Sequence, residues 1–247
     1  MGDCHDFERV ISNLSGFCCL AVDLPGHGQT IVQEDSDYQM PNVAQALINL
    51  LVELNIKQCI LVGYSMGGRI ALYLAIHFPQ YFLKVILESA SPGLSSQLER
   101  DRRRAKDSKL AEQLESSDFD FANFLQQWYS NPLFASLGKH PHYPQAIARR
   151  LCNDPNQLAK SLRSIGLGTQ PTLWKSLPEI QIPLLLIVGE LDPKFIRINQ
   201  MMANSCPQAS LYRINGTGHN VHFENPLQFS KLLKYFAAKL SLTVDFN

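Results

Sequence analysis

The chain has 247 residues, 22 basic (Lys+Arg) and 22 acidic (Asp+Glu) side chains, and a formal net charge of zero. Against ~150 residues per domain, this length fits one large domain or a core with an elaboration, and it buries a full core without metals or disulfides. A 45% hydrophobic and 18% charged composition excludes a disordered tail, and the neutral balance removes any global attraction to nucleic acid or an anionic membrane.

The opening Met-Gly-Asp-Cys-His-Asp has neither the basic nor the apolar region of a secretory signal. No run of 18 apolar residues could span a membrane. A cytoplasmic location is therefore expected, with the sequons at Asn13 and Asn215 unused. Six scattered cysteines show no C-x-x-C spacing; Cys18, Cys19 and Cys59 lie in apolar runs and read as reduced core residues.

In chain order, Asp3 is placed to cap a first helix with Phe7, Val10, Ile11 and Leu14 as its apolar stripe. Phe17–Leu24 (FCCLAVDL) reads as a buried strand running into the turn Asp23-Leu24-Pro25-Gly26-His27-Gly28, where His27 is expected to shape the loop rather than to react. Pro41 opens a helix with Val43, Leu47, Leu50, Leu51 and Leu54 on one face. Cys59–Gly63, Val85–Glu88 and Leu184–Val188 are further strands, with a weaker fifth at Ser210–Ile214. Asn225 and Pro226 begin a last helix, whose buried side is Phe229, Leu232, Leu233, Phe236 and Leu240. Strands alternating with amphipathic helices predict a mostly parallel α/β sheet. From Gly93 to Leu177 no strand is visible. The expected division is core (1–92), helical lid over the carboxyl edge of the sheet (93–177) and core again (178–247), with ligands at that edge.

Gly63-Tyr64-Ser65-Met66-Gly67 is a G-x-S-x-G directly after a strand and before a helix. Such a turn holds its serine in a strained conformation above the sheet, needs small flanking residues, and points the Met66 N–H, at a helix start, toward developing negative charge. A serine needs a base and an orienting acid. Asp192, after the strand Leu184–Val188, and His219, after Ser210–Ile214, stand in the order Ser, acid, His. Glu190 and His222 are the competing choices. Arg69 lies one helical turn beyond Ser65 on the same face. It either pairs with an acid of the chain or binds a substrate carboxylate bidentately. Arg100, Arg102, Arg103 and Arg104, with Arg149 and Arg150 further on, are either a solvated face or ligand contacts.

Beyond the elbow, the stretches Gly63–Arg69 (GYSMGGR), Glu88–Leu94 (ESASPGL), Glu99 to Asp107, Trp128–Leu137 (WYSNPLFASL) and Gly218–Pro226 (GHNVHFENP) carry a more specific likeness. Together they resemble the 2-succinyl-6-hydroxy-2,4-cyclohexadiene-1-carboxylate synthases of menaquinone and phylloquinone biosynthesis, in the α/β-hydrolase superfamily. The resemblance implies a lyase that needs no metal or organic cofactor. It would take a proton from a succinyl-bearing cyclohexene and expel pyruvate, with Ser65, His219 and Asp192 acting together as the base and Met66 in the oxyanion hole. It assigns carboxylate recognition to Arg69, Arg103 and Arg150 and the pocket lining to Tyr64 and Trp128. The partner is then a small tricarboxylate, not nucleic acid or a membrane; the oligomeric state is not legible.

The family's Leu-His-Gly-Phe-like segment, which supplies the second oxyanion-hole N–H, has no counterpart before Gly2-Asp3-Cys4-His5, nor have the two strands preceding it. The expectation is that Met1 is an internal methionine of a longer chain. The strands Phe17–Leu24 and Cys59–Gly63 would then flank a gap of roughly 9.5 Å, two strand spacings, and the chain would fold poorly and act weakly. Two other functions fit the same residues: a serine hydrolase of small esters or carbon–carbon bonds, and a catalytically weak ligand-binding relative.

Overall fold

The computed structural model describes residues 1–238. Ten α-helices and four strands are formed among these residues: α1 (Glu8–Ile11), α2 (Met40–Glu53), β1 (Cys59–Tyr64), α3 (Met66–His77), β2 (Phe82–Glu88), α4 (Gln97–Leu114), α5 (Phe121–Tyr129), α6 (Tyr143–Arg150), α7 (Pro155–Ile165), β3 (Leu184–Gly189), α8 (Pro193–Ser205), β4 (Ala209–Ile214), α9 (Val221–Glu224) and α10 (Pro226–Ala238). None of these helices is long and apolar enough to cross a membrane.

The strands form one parallel sheet in the order β1-β2-β3-β4. β3 is buried along its whole length, as a continuous apolar run in the middle of a parallel sheet should be. The similar run of β1 is mostly half-buried, because β1 is an edge strand. α3 packs on β1 and β2, and α8 on β3 and β4.

Four of the five expected strands form; Phe17–Leu24 does not. It runs as irregular chain with Phe17, Leu20 and Val22 exposed by 46%, 52% and 39%. A strand exists only through a hydrogen-bonded neighbour, and none is paired with this segment among the described residues. Cys18 and Cys19 are consequently exposed rather than in the core, and Cys59 is half-buried.

The expected helices form; the face of α2 is shifted, while that of α10 is the expected one. Asp3 caps the chain's first turn by accepting the His5 N–H, and Val10 is its buried residue. α2 buries Met40, Val43, Ala44 and Ile48, whereas Leu47, Leu50 and Leu51 are only half-covered and Leu54 is exposed. Its sequence is apolar on more than one face, so spacing alone could not choose between them. Asn225 Oδ1 accepts the Gln228 N–H at 3.1 Å to start α10, which buries Phe229, Leu232, Leu233 and Phe236; Leu240 lies outside the described residues.

The chain forms two units. The first contains Met1–Glu8, Cys19–Asn49 and Gly93–Thr172; the second contains Arg9–Cys18, Leu50–Pro92 and the described residues from Leu173 onward. In the first, no strand interrupts Gly93–Thr172, and α4 packs along α7. Its helices start on side-chain caps: Ser96 for α4, Asp120 for α5 and Asp154, followed by Pro155, for α7. The second unit holds the whole sheet.

Candidate active site

β1 ends at Tyr64 and α3 begins at Met66, so a single residue makes the turn. Ser65 takes it with φ 47° and ψ −105°, a left-handed conformation that costs energy in a residue with a Cβ. The turn is held by the Ser65 N–H, which donates to the Glu88 carbonyl at 2.8 Å. A Cβ on Gly63 would come within 2.5 Å of the Gly67 carbonyl oxygen, and one on Gly68 within 2.6 Å of Ala90 Cβ. A Cβ on Gly67 would meet nothing within 4 Å. The steric need therefore falls on Gly63 and Gly68, one residue beyond the last glycine of the motif. Met66 is the first residue of α3, so its N–H has no acceptor within the helix.

Ser65 Oγ donates to His219 Nε2 at 3.1 Å, and His219 Nδ1 donates to Asp192 Oδ2 at 2.7 Å. Asp192 and His219 are both buried. The other oxygen of Asp192, Oδ1, accepts the Phe195 N–H at 3.1 Å and so caps α8. One carboxylate thus starts a helix and fixes the histidine tautomer. Phe195 and Tyr64 lie against the imidazole, with ring centroids 4.5 and 5.4 Å away.

The loops carrying acid and base are tied to each other. Glu190 and Leu191 donate their N–H groups to the carbonyls of Ile214 and Thr217, at 3.0 and 2.8 Å. Glu190 Oε2 accepts the Gly216 N–H at 2.9 Å, so this competitor for the acid serves the loop instead. His222, the competitor for the base, is fully buried against Glu88, with Nδ1 donating to Oε2 at 2.7 Å. Sequence reasoning had both residues in view and missed the pairing; a glutamate closing an apolar strand was the available signal.

Arg69 is half-buried on the first turn of α3, its N–H donating to the Ser65 carbonyl at 3.0 Å. The remaining sequence candidates lie in the other unit. Arg103 Nε donates to the buried Asp107 at 2.8 Å, leaving the side chain 36% exposed; Arg102 and Arg104 are solvated. Trp128 is half-buried on α5, its ring 5.9 Å from Phe124. Arg150, expected to meet a substrate carboxylate, meets one of the chain itself. It is only 3% exposed; Nη2 donates to Asp6 Oδ2 at 2.9 Å, Nη1 to Ala146 O at 3.0 Å, and Nε to the Tyr129 hydroxyl at 2.6 Å. Arg149 Nη2 reaches the same aspartate at 2.5 Å.

His27 is buried and its Nδ1 donates to the Pro25 carbonyl at 3.2 Å. Burial pushes its imidazole down to about 3, so it stays neutral near pH 7. Among the described residues no three His, Cys, Asp or Glu side chains gather as a metal site.

The alpha/beta hydrolase fold family matches residues 1–226. The 2-succinyl-6-hydroxy-2,4-cyclohexadiene-1-carboxylate synthase of Salmonella typhimurium is 33% identical over 226 residues, covering 91% of this chain and 85% of that protein. Protein PHYLLO, chloroplastic, of Arabidopsis thaliana is 31% identical over 257 residues; the match takes in 97% of this chain and 15% of that protein. The solved structure of MenH from S. aureus has a TM-score of 0.90 at 34% identity, covering 95% of this chain and 89% of that one. The chain therefore belongs to the α/β-hydrolase family, in the branch that holds the 2-succinyl-6-hydroxy-2,4-cyclohexadiene-1-carboxylate synthases.

Proposed function

We propose that the chain is a carbon–oxygen lyase. It eliminates pyruvate from 2-succinyl-5-enolpyruvyl-6-hydroxy-3-cyclohexene-1-carboxylate, giving 2-succinyl-6-hydroxy-2,4-cyclohexadiene-1-carboxylate, a step of menaquinone or phylloquinone biosynthesis. The observation that carries the reading is the relay from Asp192 through His219 to Ser65 with a guanidinium, Arg69, one turn further along α3. A pocket for apolar esters has no use for a half-buried arginine there, whereas a substrate with three carboxylates does.

In the proposed step His219 Nε2 takes the Ser65 proton, and the alkoxide takes a proton from the ring. The released electron pair forms a ring double bond, the existing one shifts, and the bond to the enolpyruvyl oxygen breaks. His219 returns its proton to the departing enolate, which becomes pyruvate, and Ser65 ends as it began. No acyl-enzyme forms. The Met66 N–H stabilises developing negative charge. Arg69 is proposed to hold one carboxylate, and the likeness to the synthases assigns another to Arg103, whose Nε is fixed by Asp107. Tyr64 and Trp128 are proposed to line the pocket. Arg150, already engaged by Asp6 and Tyr129, has no direct contact with substrate in this scheme.

The same triad could open an ester covalently, which makes small-ester hydrolysis the second reading. The test is pyruvate release from the enolpyruvyl substrate, set beside hydrolysis of a small neutral ester. Arg69→Ala should cut kcat/KM for elimination about 100-fold, the worth of a charge-assisted pair, and leave the ester rate within about twofold. A folded chain that releases no pyruvate, while a fluorophosphonate still labels its Ser65, would rule the lyase out.

A further inference from the structure

Glu88 closes β2 and touches the site twice. Its main-chain carbonyl accepts the N–H of Ser65 at 2.8 Å, across the register that pairs Glu88 with Tyr64. Its side chain takes both available donors of His222: Oε1 accepts the backbone N–H at 3.0 Å and Oε2 accepts Nδ1–H at 2.7 Å. Both side chains are fully buried. A carboxylate so placed is tolerated only when its oxygens are bonded in a fixed geometry, and here the geometry belongs to the loop that carries the base. His222 lies in α9, three residues after His219, and Gly218 on the other side of His219 donates its N–H to Glu224 Oε2 of the same short helix at 2.8 Å. Tyr64, the residue before the nucleophile, has its ring 4.9 Å from that of His222 and 5.4 Å from that of His219.

We propose that Glu88 and His222 are positioning residues. By gripping the nucleophile turn with its backbone and the histidine loop with its carboxylate, Glu88 sets the 3.1 Å approach of His219 Nε2 to Ser65 Oγ. This deepens the reading of Ser65, His219 and Asp192 as the reacting site but does not depend on which substrate they use. Neither residue touches the reacting atoms; the pair acts through where it holds two other groups. Misplacement of a reacting group by about 1 Å costs on the order of 100-fold in rate, which sets the scale of the expected effect.

The test compares Glu88→Gln, His222→Ala and His222→Asn in the full chain. Glu88→Gln keeps shape and one acceptor but loses the charge and the second acceptor; His222→Asn keeps a donor near the position of Nδ1 and should rescue what His222→Ala loses. The readouts are the second-order rate of Ser65 labelling by a fluorophosphonate, kcat and KM for pyruvate release, and the melting temperature. Expected are labelling and kcat lowered about 10- to 100-fold in Glu88→Gln and His222→Ala, KM within about twofold, and His222→Asn near the parent. Labelling at the parent rate in a folded Glu88→Gln, or labelling that falls only in proportion to the unfolded fraction, would overturn the proposal. If Glu88→Gln does not fold, parent-rate labelling of His222→Ala overturns it by itself. Absence of pyruvate from the parent chain would count against the lyase reading alone, since labelling still compares the variants.

Discussion

Gly67 and Gly68 stand side by side in the nucleophile turn, yet only Gly68 has a close neighbour. Gly67→Ala should leave stability unchanged or raise it by about 0.5 kcal/mol, because alanine restricts the unfolded chain and costs nothing in an ordinary helical conformation. Gly68→Ala would push a methyl into Ala90 and should cost about 1–3 kcal/mol, the usual toll of overpacking. Urea titration of the two variants measures the contrast, and equal midpoints would show that Ala90 gives way. The sequence motif placed Ser65 at the turn between β1 and α3 and Gly63 where a Cβ would clash, but put its second steric demand on Gly67 instead of Gly68. A motif records spacing along the chain, whereas crowding at Gly68 comes from Ala90, beyond β2. Asp192 and His219 were legible for the opposite reason: each follows its own strand, so chain order already placed them at one sheet edge. What occupies the competitors Glu190 and His222 was not legible. It depends on long-range hydrogen bonds, Gly216 to Glu190 and His222 to Glu88, whose partners lie 26 and 134 residues apart.

At the scale of elements, local signals were read well and pairings poorly. Asp3 and Asn225 cap turns where capping rules put them, because a cap and its helix are neighbours in sequence. Phe17–Leu24 has the composition of a strand but no partner strand among the described residues, and composition says nothing about partners. The Asp6–Arg150 pair is a further long-range feature, joining the turn Cys4–Phe7 to the end of α6. Both side chains are about 5% exposed or less, and Tyr129 supplies a further bond. Removing one partner of such a pair strands a buried charge, so Asp6→Ala should lose about 3–5 kcal/mol. Arg150→Ala should lose a comparable amount, and the double variant less than the sum, as expected for groups in direct contact. The same series checks the role given to Arg150. An Arg150→Ala protein with an unchanged urea midpoint but a raised KM would mean that the arginine serves the substrate and not the fold.

For the molecule as a whole, net neutrality and exposed apolar surface act in the same direction. Zero formal charge gives no long-range repulsion between copies, and Phe17, Leu20 and Val22 present apolar side chains to solvent from a segment without strand partners among the described residues. β1 is in addition an edge strand, pairing with β2 and with no second strand among the described residues, and an open edge templates association. The chain should therefore associate as its concentration rises, binding a hydrophobic dye while its circular dichroism remains that of a folded α/β protein. Replacing Leu20 and Val22 together by glutamate should suppress both light scattering and dye binding and leave the melting temperature within about 2 °C, since exposed side chains contribute little to stability. The triad lies outside this segment, so the labelling rate of Ser65 in dilute solution should not change. Scattering that survives the double substitution would move the sticky surface away from Phe17–Leu24 and onto the free side of β1, where Ile60→Lys, on the half-buried face of that strand, would be the next replacement to measure.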